Sequence, residues 1–157
     1  MQELTMRPAE PKDIDDVTGL INQAFVAESP YVSGERIHSD GVRELLSTGT
    51  FLLGELEGML VAAVYVERRG DSAHIGLVSV TPSRQGAGLG AQIMLAAEVH
   101  CRAAGYLQME LRFINHRDEL RRFYTRLGYV ETGVIESPDP ARMKVPFHFV
   151  QMAKPLV

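Results

Sequence analysis

The chain has 157 residues, of which 45% are hydrophobic and 23% are charged. This length suits one domain, residues 1–157, whose core needs no metal ion or disulfide to hold it. Sixteen basic and twenty acidic residues give a formal net charge of −4, which argues against nucleic acid as a partner. The longest apolar run, Met59 to Val66, is far shorter than the roughly 18 residues of a membrane span. With one cysteine, Cys101, and no internal disulfide, we expect a soluble cytoplasmic protein.

Hydrophobic periodicity and turn residues predict alternating strands and helices. The segments with strand character are residues 3–7, 50–55, 59–69, 73–80, 107–113, 129–135 and 147–152. The segments with helical spacing are residues 13–25, 39–47, 89–104 and 118–127. The resulting order, β-α-α-β-β-β-α-β-α-β-β, predicts a mixed α/β sheet with helices packed against it.

A glycine-rich loop, residues 84–90, stands between a predicted strand and the best predicted helix. Gly86, Gly88 and Gly90 occur within five residues. Exposed amides at a helix start, together with the helix dipole, form an anion site, and glycines let a phosphate approach the backbone. A P-loop would continue with Lys and Ser or Thr, but Ala91 and Gln92 follow Gly90, so that class is excluded.

The same loop also satisfies the dinucleotide fingerprint G-x-G-x-x-A from Gly86 to Ala91, with Glu110 at the end of the next strand. Two observations argue against a nicotinamide-dependent oxidoreductase. Five residues separate the strand from the first glycine, and only 67 residues follow Gly90, too few for the remaining parallel sheet. We keep this class as the less favoured alternative.

At this loop the sequence resembles the GNAT superfamily of acetyl-CoA-dependent N-acetyltransferases, whose motif is Q/R-x-x-G-x-G/A. Gln85, Gly88 and Gly90 match the motif. The segment from Phe123 to Tyr129 is similar to the family's F-Y-x-K-x-G-F, and the first and last predicted strands look like the family's as well. The resemblance implies a GNAT-like, mostly antiparallel sheet of about seven strands, flanked by about four helices.

The resemblance also implies a reaction and a cosubstrate. The amine acceptor would attack the thioester of acetyl-CoA directly in a ternary complex, without an acyl-enzyme and without a metal. The residues implied to bind the cosubstrate are Val78, Val80, Gln85, Gly86, Ala87, Gly88, Leu89 and Gly90.

Three residues are implied to act in catalysis. The backbone N–H of Val78 would polarise the thioester carbonyl, and Tyr124 would protonate the departing thiolate. His74 would accept the proton of the amine, because histidine titrates near neutral pH. Glu67 or a chain of water molecules could replace His74. Asn115 stands two residues before the position where the family often has an asparagine, so no role at the cosubstrate is assigned to it.

Other interpretations stay open from the sequence. A non-catalytic module that binds or senses acyl-CoA would keep the glycine loop but lack a working acid and base. The acceptor, a small-molecule or peptide amine, would be recognised by Tyr31, residues 28–40, the ends of residues 67–71 and residues 136–146. Its identity, the length of the acyl group and the formation of a homodimer are not determined. The negative net charge weakly favours a cationic amine.

Overall fold

The computed structural model describes residues 2–157, in which seven strands form a single mixed sheet. The strands are β1 (Thr5–Pro8), β2 (Thr50–Leu56), β3 (Met59–Arg69), β4 (Ser72–Val80), β5 (Gln108–Ile114), β6 (Val130–Glu136) and β7 (His148–Pro155). The helices are α1 (Ile14–Ala24), α2 (Ser39–Thr48), α3 (Leu89–Ala103) and α4 (Asp118–Arg126). Within the described residues, the element order confirms the predicted α/β fold.

The strand order is β1-β2-β3-β4-β5-β7-β6, and β4–β5 is the parallel neighbour pair among antiparallel ones in residues 2–157. The helices cover both faces of the sheet. The cluster on the α1 and α2 side includes Phe51 and Leu53, and the cluster on the α3 and α4 side includes Ile93 and Met109. Each of these side chains is fully buried, which is worth ~1.5–3 kcal/mol per residue in removed apolar surface.

The parallel pair β4–β5 is the place where the sheet divides. Its register joins residues 72–74 to residues 108–110, and in the described part of the chain no pairing between these strands continues beyond His74 and Glu110. β4 nevertheless continues to Val80 and β5 to Ile114, so the two strands separate. The backbone groups along these edges are therefore available to a ligand.

A partly buried ion pair joins the first strand to the start of α1. The terminal nitrogens of Arg7 donate to the two carboxylate oxygens of Asp13 at 2.8 Å, and Asp13 also accepts the backbone N–H of Glu10 at 2.8 Å. The hydrogen bonds from Arg7 lower the pKa of Asp13 from 3.8 to about 2. The carboxylate therefore stabilises the folded state in its ionised form.

We expect Asp13→Asn to lower the free energy of unfolding at pH 7 by about 2 kcal/mol, the equivalent of the lowered pKa. Because the pKa is lower in the folded state, this contribution is complete well above the ordinary pKa of 3.8 and is lost as the pH falls through about 2. Urea unfolding at pH 7 and at pH 3 measures it, and about half should remain at pH 3. Asp40→Asn, at an exposed carboxylate paired with Arg43, is the control and should change little. An Asp13→Asn effect of equal size at both pH values would contradict this assignment.

Candidate active site

A cavity of about 1220 Å³ opens where β4 and β5 separate. Its walls come from these two strands, from the glycine-rich loop before α3 and from one face of α4. The segment between α1 and α2 and the loop between β6 and β7 complete the walls. The cavity therefore joins the predicted cosubstrate loop to segments predicted to recognise the acceptor.

β4 carries a β-bulge inside this cleft, which the sequence analysis did not predict. Between Gly76 and Ser79 the register with β3 shifts, so that Leu77 and Val78 oppose a single residue, Val64. Leu77 has a φ of 52°, a left-handed value that leucine rarely adopts and that costs ~1–3 kcal/mol. The hydroxyl of Ser79 donates to the carbonyl of Leu77 at 2.9 Å and supports the bend.

The bulge changes the face to which alternate residues of β4 point. Before it, Ala73 and Ile75 belong to the cluster under α3 and α4, and after it Val78 and Val80 pack against that cluster. Leu77 belongs to the cluster under α1 and α2. Neither Leu77 nor Val78 has a register partner on β3 or β5 within residues 2–157. The backbone of Val78 therefore borders the cleft outside the regular ladder.

The glycine-rich loop connects the end of β4 to the start of α3. Gly88 is the N-cap of α3 with a φ of 81°, and Gly86 has a φ of 86°, values that glycine adopts at no steric cost. The side-chain amide of Gln85 donates to the carbonyl of Val80 at 3.2 Å and ties the loop to the strand. Because the first turn of α3 borders the cavity, its N–H groups and the helix dipole favour an anion there.

Most of the residues predicted to bind the cosubstrate meet at this cavity. Those that line it are Val78, Val80, Gln85, Gly86, Gly88, Leu89 and Gly90. Ala87 lines an adjoining cavity of about 360 Å³, which shares Gln85, Gly86 and Leu89 with the first.

Tyr124 lies on α4, with its ring 6% exposed in an aromatic cluster. The ring centroids of Phe113, Phe123 and Tyr129 are 6.1, 5.1 and 5.8 Å from its own. Burial raises the pKa of the phenol well above its ordinary value of 10, so the hydroxyl keeps its proton. The hydroxyl makes no hydrogen bond to residues 2–157, and no fully buried side-chain oxygen among them lacks a partner. The Tyr124 oxygen is therefore accessible from the cavity, where it can donate to a ligand.

His74 lines the cavity at the point where the cleft opens. Its register neighbours are carboxylates on both sides, Glu67 on β3 and Glu110 on β5. Burial, with the positive charges of Arg69 and Arg112, lowers the pKa of His74 to about 4. The imidazole is therefore neutral at pH 7, but it is a weaker base than an exposed histidine.

Glu67, the alternative base, also lines the cavity. Its Oε1 accepts hydrogen bonds from Tyr65 Oη at 3.1 Å and from Thr48 Oγ1 at 3.3 Å, and its Oε2 lies 3.6 Å from Arg69 Nε. These contacts hold the carboxylate next to His74. Sequence reasoning missed them because Thr48 and Tyr65 meet only through the packing of α2 against β3.

Asn115 and Arg117 are engaged in contacts within the protein. Asn115 Oδ1 accepts the backbone N–H of His148 at 3.1 Å, and the Asn115 N–H donates to the His148 carbonyl at 3.0 Å. Arg117 binds Glu28 at 2.9 Å and Glu119 at 2.8 Å, which joins α4 to the segment after α1. Arg117 therefore joins two walls of the cavity, whereas Asn115 joins β5 to the start of β7.

In the part of the chain that the structure describes, no three His, Cys, Asp or Glu side chains are grouped as metal ligands would be. None of the helices described is long and apolar enough to cross a membrane.

Cys101 is buried on α3, and burial raises the pKa of its thiol to about 11. Such a thiol is a poor nucleophile.

The fold and the site agree with one known family. The family model described as "Acetyltransferase (GNAT) domain" matches residues 24–154. The chain therefore belongs to the GNAT acetyltransferase family, which confirms the resemblance seen at the glycine loop.

Solved structures share this fold at low sequence identity. The ribosomal-protein-S18-alanine N-acetyltransferase from Escherichia coli has a TM-score of 0.78 and 15% identity, over 98% of this chain and 94% of that chain. A proposed phosphinothricin N-acetyltransferase has a TM-score of 0.82 and 20% identity, over 99% of both chains. The proposed acetyltransferase yncA from Salmonella typhimurium, solved with its cofactor acetyl-CoA, has a TM-score of 0.77 and 19% identity, over 99% of this chain and 95% of that chain. No curated protein matches the chain.

Proposed function

We propose that the protein transfers the acetyl group of acetyl-CoA to a primary amine by direct attack of the amine on the thioester in a ternary complex. The observation that carries this proposal is the open edge between β4 and β5, which leads from His74 to the glycine-rich loop. A long thioester with a pyrophosphate fits both features. Its extended arm can bind along the open edge, and its pyrophosphate can accept hydrogen bonds from the amides at the start of α3.

The reaction needs a polarised carbonyl, a neutral amine and stabilisation of the leaving thiolate. The N–H of Val78, in the bulge, is proposed to donate to the carbonyl oxygen, a contribution of ~2.7–4 kcal/mol for one good donor. As the amine nitrogen bonds to the carbonyl carbon and the C–S bond breaks, Tyr124 Oη is proposed to donate to the sulfur. Complete proton transfer from a phenol with a raised pKa to a thiolate of ordinary pKa ~8.5 is uphill, so hydrogen-bond donation is the main contribution of Tyr124.

His74 is proposed to accept the proton that the amine loses. With a pKa of about 4 it is unprotonated throughout the neutral range, so its activity as a base is lost only as the pH falls toward 4. A rate that changes between pH 6 and pH 8 would then report ionisation of the amine, not of His74.

We expect His74→Gln to lower kcat about 10²-fold at pH 7, the lower end of the usual range for a general base. Glu67→Gln, which keeps the size and hydrogen bonds of its side chain, should have a smaller effect. Steady-state thiol release from pH 6 to pH 9 measures both variants. A loss of kcat in Glu67→Gln alone would identify Glu67 as the general base. Wild-type rates in both variants would favour a chain of water molecules as the proton acceptor.

Thermal unfolding with acetyl-CoA, CoA or NADH tests the proposed cosubstrate. A ligand at a hundred times its Kd adds ~2.7 kcal/mol to stability, a shift of several degrees at ~2–4 °C per kcal/mol. A shift with acetyl-CoA and not with NADH, followed by thiol release with an amine panel, would support the proposal. A shift with NADH alone, or binding of acetyl-CoA without turnover of any amine, would contradict it.

The solved neighbours are named for different acceptors, an alanine of ribosomal protein S18 and phosphinothricin, so the acceptor must be inferred from this cavity.

A further inference from the structure

Three arginines at one end of the cavity have no carboxylate partner within residues 2–157. They are Arg36, after α1, Arg112 on β5, and Arg142, in the loop between β6 and β7. The segments 25–37 and 137–142 form this end of the cavity together with these arginines. It lies apart in sequence from the glycine-rich loop expected to bind the pyrophosphate.

Arg112 and Arg142 are held by neutral groups that leave their charges uncompensated, whereas Arg36 has Glu28 within electrostatic range but forms no ion pair with it. Arg142 donates to the backbone carbonyls of Ser33 at 3.0 Å and Glu35 at 2.5 Å. Arg112 lies over the ring of Phe149 at 5.3 Å from its centroid, and Arg36 over the ring of Phe25 at 5.4 Å. Aromatic faces and carbonyls orient a guanidinium but do not neutralise it, so further N–H donors remain for a ligand.

The carboxylates of the same cavity are already engaged or face solvent. Glu28 and Glu119 both bind Arg117, and Glu67 contacts Arg69. The remaining two, Glu35 and Asp139, are exposed. Arg36 is exposed as well, so the half-buried charged groups left at this end of the cavity are Arg112 and Arg142.

Arg112 occupies the position closest to the proposed chemistry. It follows Glu110, the register neighbour of His74, by two residues on β5, so Glu110 and Arg112 lie on the same face of the sheet at the opening of the cleft. Arg36, which is exposed, is within electrostatic range of Glu28 as well as of Arg112 and Arg142. Glu28, which also binds Arg117, offsets only part of the repulsion among these arginines, and a bound anion lowers the cost that remains.

We propose that the acceptor amine carries an oxyanion, a carboxylate or a phosphorus oxyanion, which Arg112 binds together with Arg36 and Arg142. This inference rests on the proposed acetyl transfer and adds the class of acceptor. It is opposite to the weak expectation of a cationic amine from the net charge of −4, because the charges facing the cavity differ from the average over the surface. The planar guanidinium fork matches the two oxygens of a carboxylate or phosphonate, which a lysine would bind less specifically.

The test compares amines that differ in the oxyanion. Thiol release is measured for leucine against leucinamide, phenylalanine against phenylalaninamide, and 2-aminoethylphosphonate against ethanolamine, with spermidine and a lysine peptide added. We expect kcat/KM, calculated for the unprotonated amine, to be at least tenfold higher for an anionic member, and Arg112→Gln to reduce that ratio to near one. Arg43→Gln, an exposed arginine of α2 outside the cavity, is the matched control and should keep the ratio.

The outcomes separate this inference from the proposed function. Turnover of spermidine, the lysine peptide or the uncharged members in preference to the anionic ones overturns the inference and keeps the acetyltransferase. A preference that Arg112→Gln leaves intact also overturns it. Absence of turnover with every amine overturns both. Thermal unfolding with acetyl-CoA reports whether Arg112→Gln is folded, and Arg142→Gln replaces it if it is not.

Discussion

Replacement of Tyr124 by Phe is expected to lower kcat by about 10²-fold or more and to leave acetyl-CoA binding unchanged. The change removes a single oxygen atom that has no hydrogen-bond partner among the described residues. Loss of an unpartnered hydroxyl in an aromatic cluster costs little stability, so the fold should not be affected. The lost rate therefore reports donation to the leaving sulfur.

Tyr129→Phe is the matched control for this experiment. Tyr129 is 3% exposed, lies 5.8 Å from Tyr124 between ring centroids, and donates weakly to Met109 Sδ at 3.6 Å. It does not line the cavity, so Tyr129→Phe should keep kcat. Steady-state assays of thiol release at saturating acetyl-CoA measure kcat for both variants. A Tyr124→Phe protein with wild-type kcat would rule out the assigned role. A wild-type protein that binds acetyl-CoA but acetylates no amine would favour the non-catalytic acyl-CoA module.

Replacement of Gly88 by Ala is expected to raise the Kd of acetyl-CoA by about tenfold or more. A Cβ atom at a φ of 81° strains the N-cap of α3 by ~1–2 kcal/mol and disturbs the amides that the pyrophosphate needs. Charge-assisted hydrogen bonds of this kind contribute ~1.5–3 kcal/mol each, so the loss of one gives this change in affinity. Isothermal titration with acetyl-CoA measures it.

Gly58→Ala is the control that introduces similar backbone strain outside the glycine-rich loop. Gly58 has a φ of 76° in the turn between β2 and β3, and a Cβ there would meet no atom within 4 Å. Both variants should lose a similar amount of stability, and only Gly88→Ala should lose affinity. Equal affinities in Gly88→Ala and the wild type would show that the loop does not bind the pyrophosphate.

The sequence predicted the parts of the fold that depend on local pattern. The strands and helices follow from apolar periodicity, and the loop at Gly86 and Gly88 was recognisable because its chemistry lies in consecutive residues. Tyr124 could be predicted to line the site only through the family resemblance, since its spacing alone is that of a core aromatic residue. The structure brings Tyr124 to the same cavity as the loop.

The features that were missed depend on contacts between distant segments. No residue type marks the bulge at Leu77 and Val78, because leucine is a poor choice for a left-handed position. Arg36, Arg112 and Arg142 come from three separate segments, and each alone is a solvated charge in sequence terms. Ala87 was included because its neighbours match the motif, and its role stays a prediction, because it lines only the adjoining smaller cavity.

The short register between residues 72–74 and 108–110 also has a mechanical consequence. The sheet consists of two halves. One contains β1, β2, β3 and β4, and the other contains β5, β7 and β6. They are joined by a three-residue ladder and by the shared core beneath α3 and α4. Amide protons on the facing edges of β4 and β5 should exchange with deuterium faster than those within either half. A ligand bound along the cleft would hydrogen-bond to the edges of both strands. Its binding should therefore slow amide exchange on β4 and β5 together.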